Sequence, residues 1–188
     1  IVGPSLGEDS INYGITASIL AALVVVLFMA LYYHEAGLVA DMAVILNITL
    51  IFGVLASLGG TLSLPGLAGI ILTLGMAVDA NVLIYERTRE ELTKGRSLKS
   101  AIDEGFSKAL SAILDSNITT FITGLILYFL GSGPIKGFAL TLMIGIIGTL
   151  FTAILISRAL IEISMQAGWT NFGFGQKKSL TNNIIKVK

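Results

Sequence analysis

The sequence of 188 residues contains no cysteine and a single histidine, His34. The absence of cysteine excludes a disulfide framework and any thiolate metal site. One histidine without a carboxylate cluster near it does not make a zinc site either, so we expect no metal. Charged residues are also scarce, at 13% against the roughly 25% typical of soluble domains. With 54% hydrophobic residues and a mean hydropathy of +0.87, the composition predicts a protein that crosses a membrane several times.

Motifs for catalysis and for nucleotide binding are missing as well. No glycine-rich phosphate loop followed by lysine is present, so we expect no direct use of ATP. No nucleophile stands in a hydrolase motif. The aspartates discussed below do not lie in the motif context of intramembrane aspartyl proteases, although their spacing alone leaves that alternative open. The net charge is zero with no basic patch, which argues against a nucleic-acid partner. We therefore expect neither an enzyme nor a cofactor.

The chain does contain long uncharged runs. Five stretches are each long enough to cross the hydrocarbon core as a helix, at about residues 10–33, 42–58, 65–85, 111–130 and 137–157. The second and third belong to one run, which glycines and a proline break at 59–66. We predict an all-α fold, a polytopic bundle of five transmembrane helices in a domain at 1–165. A turn-rich lead-in at 1–9, a short polar turn at 34–41 and a polar cytoplasmic tail at 166–188 complete the predicted chain.

The longest polar connection covers residues 86–108. Within it, Ser97 is a candidate helix cap. Apolar residues then recur at three- and four-residue spacing opposite charged ones. This pattern predicts an amphipathic helix at about 97–109 that lies on the membrane surface before the fourth span begins. A partner-binding helix is the alternative interpretation.

Lysine and arginine set the predicted orientation. Of the twelve basic residues, six lie in residues 86–108, five lie from Arg158 onward, and only Lys136 lies elsewhere. The two basic segments are separated by two spans, so they lie on the same side of the membrane. By the positive-inside rule that side is the cytoplasm. The first residue of the chain then lies outside and its C-terminus lies inside.

One carboxylate stands inside the third span. Asp79 precedes the first charged residue after this span, Glu86, by seven positions, which is about 10 Å along a helix. An ionisable side chain at this depth costs at least about 2.5–3.5 kcal/mol on insertion scales, so a functional role is its default interpretation. The alternative is a packing carboxyl kept neutral by neighbouring amides or hydroxyls.

A second acidic residue, Asp115, enters the fourth span at a similar depth. The two spans thus carry the triplets D-A-N at 79–81 and D-S-N at 115–117, followed by Thr119. If the helices are neighbours, Asp79 and Asp115 could share protons, with Asn81, Asn117 and Thr119 as supporting polar groups. Asp115 is equally well interpreted as a helix-entry residue that water still reaches.

These residues resemble a known family. The run G-M-A-V-D-A-N-V-L-I-Y-E-R-T-R-E-E-L is similar to a span signature of the bacterial SecD protein-export membrane proteins. The blocks V-G-P-S-L-G, A-L-S-A-I-L-D-S-N-I-T-T and G-S-G-P-I-K-G-F-A-L-T-L-M-I-G resemble other SecD blocks, in the family's order and spacing. Members of this family carry a further span and a large extracytoplasmic domain before V-G-P-S-L-G. We therefore expect this chain to be part of a longer protein.

The resemblance implies a fold and a function. It implies most of one six-helix half of a transporter core of the resistance–nodulation–division type, in the bacterial plasma (inner) membrane. It further implies a SecDF unit in which proton flow helps preproteins leave the Sec channel, with Asp79 at the family's proton-pathway aspartate. The implied partners are a SecF half, separate or fused, the Sec channel, unfolded preprotein and membrane lipids. A proton-coupled exporter of drugs or lipids from the same superfamily and a passive assembly scaffold are the alternatives. Either way, a half-unit should expose a large apolar or grooved face.

Overall fold

The computed structural model describes residues 4–60, 63–169, 172 and 174, with side chains from Asp9 onward. These residues form helices and short connections, and no strand occurs among them. The helices are α1 (Pro4–Tyr33), α2 (Glu35–Ser57), α3 (Leu64–Thr93), α4 (Leu98–Leu130), α5 (Pro134–Phe151), a π-helical turn (Thr152–Ile156) and α6 (Ser157–Gln166). The predicted all-α fold class is confirmed.

Five helical segments are long and apolar enough to cross a membrane. They are α1 from Asp9, α2, α3, α4 and the continuous segment made by α5, the π-helical turn and α6. Because an α-helix rises about 1.5 Å per residue, the 30 residues of α3 are longer than the hydrocarbon core is thick. The chain is therefore a multi-pass membrane protein with helix ends that project into water.

The predicted polar turn at 34–41 is wrong. Only His34, at φ 52°, separates α1 from α2, and Asp41 lies inside α2 with 6% of its surface exposed. The helices meet very closely here, since a Cβ on Gly37 would overlap the carbonyl oxygen of Met29. The charged residues of this stretch thus extend the helix instead of ending it. The lead-in at 1–9 is likewise shorter than predicted, because α1 begins at Pro4.

The separate surface helix predicted at 97–109 is also absent. Residues 94–97 alone connect α3 to α4, and α4 then runs unbroken into the membrane span. Ser97 does cap it, as predicted, by accepting a hydrogen bond from the backbone N–H of Ser100. The apolar stripe packs against α3 and not against lipid, because Ala101 and Ala109 are fully buried.

A buried acid holds this α3–α4 hairpin together. Glu91 is fully buried, and its carboxylate pairs with Lys94 at 2.6 Å, Arg96 at 2.8 Å and Lys108 at 2.8 Å. Three cations around one buried carboxylate compensate for its loss of hydration, and all three lie beyond the last residue of α3. The ends of α3 and α4 therefore form one rigid unit that projects beyond the span.

Small residues let α5 pack closely on α3 and α2. A Cβ on Gly145 would overlap the side chain of Thr73, and one on Gly148 would overlap Asn47. The Asn47 amide also donates a hydrogen bond to the Thr149 hydroxyl at 3.1 Å. These contacts agree with the packing role predicted for both glycines and for Asn47.

Two residues of the predicted polar tail belong to the core. Phe172 and Phe174 are buried, and the Phe174 ring lies 5.5 Å from that of Tyr85 on α3. The remainder of the tail predicted at 166–188, apart from 166–169, lies outside the described residues.

Few residues of α1 and α4 are buried within the chain. In the most apolar stretch of α1 only 6% of the residues are buried, and in that of α4 only 17%, against 50% for α3. Both helices thus expose apolar side chains, and the single large face expected of a half-unit stays a prediction.

Candidate functional site

Asp79 lines a cavity of about 110 Å³ between α3 and α4. The other lining residues are Met76, Ala80 and Leu83 from α3, and Ile113, Ser116, Asn117 and Thr120 from α4. Asp79 itself is exposed on this chain, while Asn117 is 6% exposed. The cavity is therefore a recess with a carboxylate at its open side and an amide at its closed side.

The polar groups of α4 offer acceptors to this cavity. The side chains of Ser116 and Asn117 both donate to the carbonyl of Ile113, at 3.1 and 2.7 Å, and Thr120 donates to that of Ser116 at 2.9 Å. Their hydroxyl and amide oxygens remain free to accept. The Asn117 Oδ1 is buried without a hydrogen-bond partner. A protonated Asp79, or a water molecule, would supply the hydrogen that this oxygen lacks.

No basic side chain among the described residues lines the cavity. Within the part of the chain that the structure describes, a charged Asp79 therefore has no counter-ion there. The described residues also contain no group of three or more histidine, cysteine, aspartate or glutamate side chains that could hold a metal ion.

The residue of the D-S-N triplet that lines the cavity of Asp79 is not the one that we predicted. Asp79 meets Asn117, whereas Asn81 and Asp115 do not line the cavity. Residues two apart on a helix differ by about 200° in direction, so only one member of each triplet faces the contact between α3 and α4. Helical periodicity shows that both members of one triplet cannot face this contact, but it does not show which member of each triplet does.

Asn81 instead joins α3 to α6. It is 1% exposed, donates to the carbonyl of Ala77 at 3.0 Å and accepts from the Ser157 hydroxyl at 2.7 Å. Ser157 directly follows the π-helical turn. The turn and the buried hydrogen bond together fix the rotation of α6 against α3, so Asn81 is a positioning residue in this structure.

Asp115 and Thr119 lie outside the cavity. Both are exposed, and the Thr119 hydroxyl bonds only the carbonyl of Asp115, at 2.8 Å. Sequence reasoning missed two lining residues, Ser116 and Thr120, because isolated hydroxyls in a span are common and carry little signal.

We expect Asp115→Asn to change little. Because Asp115 does not line the cavity, removing its charge should leave proton-gradient-driven activity of the complete complex within about twofold of the native value. Vesicle assays with and without a proton gradient measure this. A loss of activity as large as that of an Asp79 variant would indicate that Asp115 does belong to the proton site.

Comparison with known proteins points to one family. A family profile described as protein export membrane protein SecD/SecF, C-terminal, matches residues 1–166. The chain belongs to this family. It is 58% identical over 161 residues to the protein translocase subunit SecD of Rhodothermus marinus, covering 86% of this chain and 26% of that protein. The SecD of Pseudomonas aeruginosa is 51% identical over 162 residues, with 86% and 26% covered.

Two solved structures resemble this chain and support the same family. The crystal structure of SecDF from Thermus thermophilus, described as a translocon-associated membrane protein, matches with a TM-score of 0.85 at 42% identity, covering 89% of this chain and 23% of that one. SecDF in its super-membrane-facing form matches with a TM-score of 0.82 at 42% identity, covering 88% and 23%. The chain thus spans about a quarter of the length of these relatives.

Proposed function

We propose that this chain is the membrane part of a SecD subunit that uses proton flow to assist Sec-dependent export of proteins. The observation that carries the proposal is Asp79, a carboxyl about 10 Å inside a transmembrane helix, in a polar recess without a cation. A group so situated can take up a proton from one side and release it to the other. Its role is that of a proton carrier and not that of a catalytic group, so we propose no enzymatic activity.

The open face around Asp79 is the proposed docking surface for a SecF half, separate or fused. The observation that supports this is that Asp79 lies at the exposed side of its recess, where no described residue of this chain covers it. A second half covering this face would remove Asp79 from lipid and supply the missing counter-charge or water path. The Sec channel and unfolded preprotein are the further partners proposed, in the bacterial inner membrane.

Export of drugs or lipids by a related transporter is the competing function. The named relatives favour protein export, since SecD is the printed name of both curated proteins. Proton-driven stimulation of preprotein translocation in inverted vesicles, absent when the complex lacks this subunit, tests the proposal. Normal translocation without the subunit at every gradient would contradict it.

The proposed orientation has its own test. The connection at 94–97 and the first turns of α4 should lie in the cytoplasm, and the turn before Pro134 should lie outside. A cysteine at Lys99 should therefore resist an impermeant thiol reagent added to whole cells, and one at Ser132 should react. Both positions are exposed in the structure, and this chain contains no native cysteine. The reverse labelling pattern would invert the topology.

A further inference from the structure

Two consecutive residues at the start of α6 attach it to both helices that line the recess. The Ser157 hydroxyl donates a hydrogen bond to the side-chain oxygen of Asn81 on α3, at 2.7 Å. The Arg158 guanidinium donates to Asp103 on α4 at 2.9 Å, and its carbon lies 5.9 Å from the centre of the Phe106 ring on the same helix. The start of α6 therefore bridges α3 and α4.

The π-helical turn brings the Ser157 hydroxyl to this position. Thr152 and Ser157 are five residues apart, yet both are buried, at 2% and 0% exposed. In a continuous α-helix they would differ by about 140° in direction, so one of them would face outward. Here the Ser157 backbone N–H bonds the carbonyl of Thr152, which is the five-residue hydrogen bond of a π turn. This wider turn places both side chains on the buried face of the last span.

The buried hydrogen bond is the stronger of the two attachments. Ser157 and Asn81 are 0% and 1% exposed, so water has no access to replace the bond if it is lost. The Asn81 oxygen would then be a buried acceptor without a donor, and such a group costs more than the bond itself contributes. Arg158 and Asp103 are each 48% exposed, where ion pairs contribute little. Loss of the Ser157 hydroxyl should therefore displace α3 more than loss of the Arg158 charge displaces α4.

The rotation of α3 sets the direction of Asp79. Asn81 and Asp79 are two residues apart and differ by about 200° around the helix, so one faces α6 while the other faces the recess. Along the helix axis they are only about 3 Å apart. The hydrogen bond that holds Asn81 therefore also holds Asp79 toward Asn117 on the α4 wall. If Asn81 turned to find another donor, Asp79 would turn away from that wall.

We propose that Ser157 is a positioning residue of the proton site. Through Asn81 it holds α3 in the rotation that presents Asp79 to Asn117, and Arg158 adds a weaker attachment to α4. Ser157 does not line the recess, so its effect on Asp79 is indirect. The inference rests on the proposed function, in which Asp79 is the proton carrier.

Cross-linking across the recess tests the geometry, in the complete complex freed of any other cysteine. Met76 and Thr120 line the recess about one turn of helix from Asp79 and from Asn117, and this chain contains no native cysteine. In the variant Met76→Cys/Thr120→Cys, a short thiol cross-linker joins the two helices. Adding Ser157→Ala should slow this cross-linking about fivefold or more, because Met76 turns with Asp79.

Ser164→Ala is the matched control, because the Ser164 hydroxyl donates to the carbonyl of Leu160 in its own helix, at 2.7 Å. It should leave cross-linking within about twofold of the native rate. The double variant Asn81→Leu/Ser157→Ala removes both polar groups of the bond and leaves neither unpaired, so it covers the case in which Ser157→Ala does not accumulate. It should also slow cross-linking, because the bond that holds α3 is gone. Cross-linking at the native rate in either Ser157 variant would overturn the proposal.

Proton entry into proteoliposomes separates this inference from the proposed function. Ser157→Ala should lower the rate of entry about fivefold or more and shift the pH of half-maximal entry by about half a unit or more, because the polar groups around Asp79 change. A rate lowered equally at every pH would show that Ser157 supports folding alone, and would overturn the inference. Entry with the native rate and pH profile in Ser157→Ala would contradict only this inference, whereas entry that does not require Asp79 would contradict the proposed function.

Discussion

Replacing Asp79 with asparagine should abolish the proton-driven part of export while the protein still accumulates in the membrane. Asparagine keeps the shape of the side chain and can still bond the acceptors of the α4 wall, but it has no titratable proton. Inverted vesicles that carry the complete complex provide the measurement, with translocation compared with and without a proton gradient. The gradient-dependent increment should fall to the level seen without a gradient.

Asp79→Glu separates the proton role from a packing role. Glutamate retains the proton site with one extra methylene, so we expect partial activity. A structural Asp79 would give the reverse order, because a neutral amide packs cheaply whereas the longer glutamate strains a recess of about 110 Å³. Full response of the Asn variant to the gradient would show that Asp79 carries no essential proton.

Gly105→Ala should cause the largest loss of stability of any single methyl addition in the α3–α4 hairpin. A Cβ at this position would overlap the Thr88 hydroxyl and lie 2.8 Å from the Thr88 backbone nitrogen, and backbone cannot move aside as a side-chain end can. Thr88 is also held by its bond to the carbonyl of Ile84, at 2.9 Å. We expect a loss of about 3 kcal/mol, which lowers the apparent thermal midpoint by roughly 6–12 °C.

Gly53→Ala is the matched control for this substitution. Gly53 lies in α2, about one turn before the helix ends, and an added Cβ would meet nothing within 4 Å. Alanine there should leave the midpoint unchanged or raise it, by up to about 1 kcal/mol of helix propensity. Thermal unfolding of both variants in one detergent decides the matter. Equal midpoints for the two would mean that α4 approaches α3 less closely than the structure has it.

The number of spans was predictable because hydrocarbon excludes charge, so uncharged runs of sufficient length mark membrane crossings. The ends of the helices were not predictable, because a charged residue at the boundary with water can extend a helix as readily as it can end one. At the α1–α2 connection, the prediction placed Glu35 and Asp41 in a turn, whereas both lie in α2. Close packing through Gly37 keeps that stretch helical, and such packing depends on a neighbour that the local sequence does not reveal.

The candidate site was likewise predictable only in part. The depth of Asp79 follows from counting residues to Glu86, and its importance follows from the cost of a charge in the membrane. Predicting the neighbours of Asp79 would have required knowing which helix packs against it and which side of that helix faces it. In a membrane both the lipid-facing and the protein-facing sides of a helix are apolar, so hydrophobic periodicity gives little information about contacts. The sequence could therefore indicate Asn117 as a supporting group but not that it replaces Asp115 beside Asp79.

The central claim is that Asp79 carries protons across this domain, and proton entry into proteoliposomes tests it most directly. The complete complex is reconstituted with a pH-sensitive dye inside, and a proton gradient is imposed from the outside. The native complex and Asp115→Asn should acidify the interior at similar rates, while Asp79→Asn should acidify it no faster than liposomes without protein. Acidification by Asp79→Asn at the native rate would contradict the account, because protons would then cross this membrane domain without the acid that lines the α3–α4 recess.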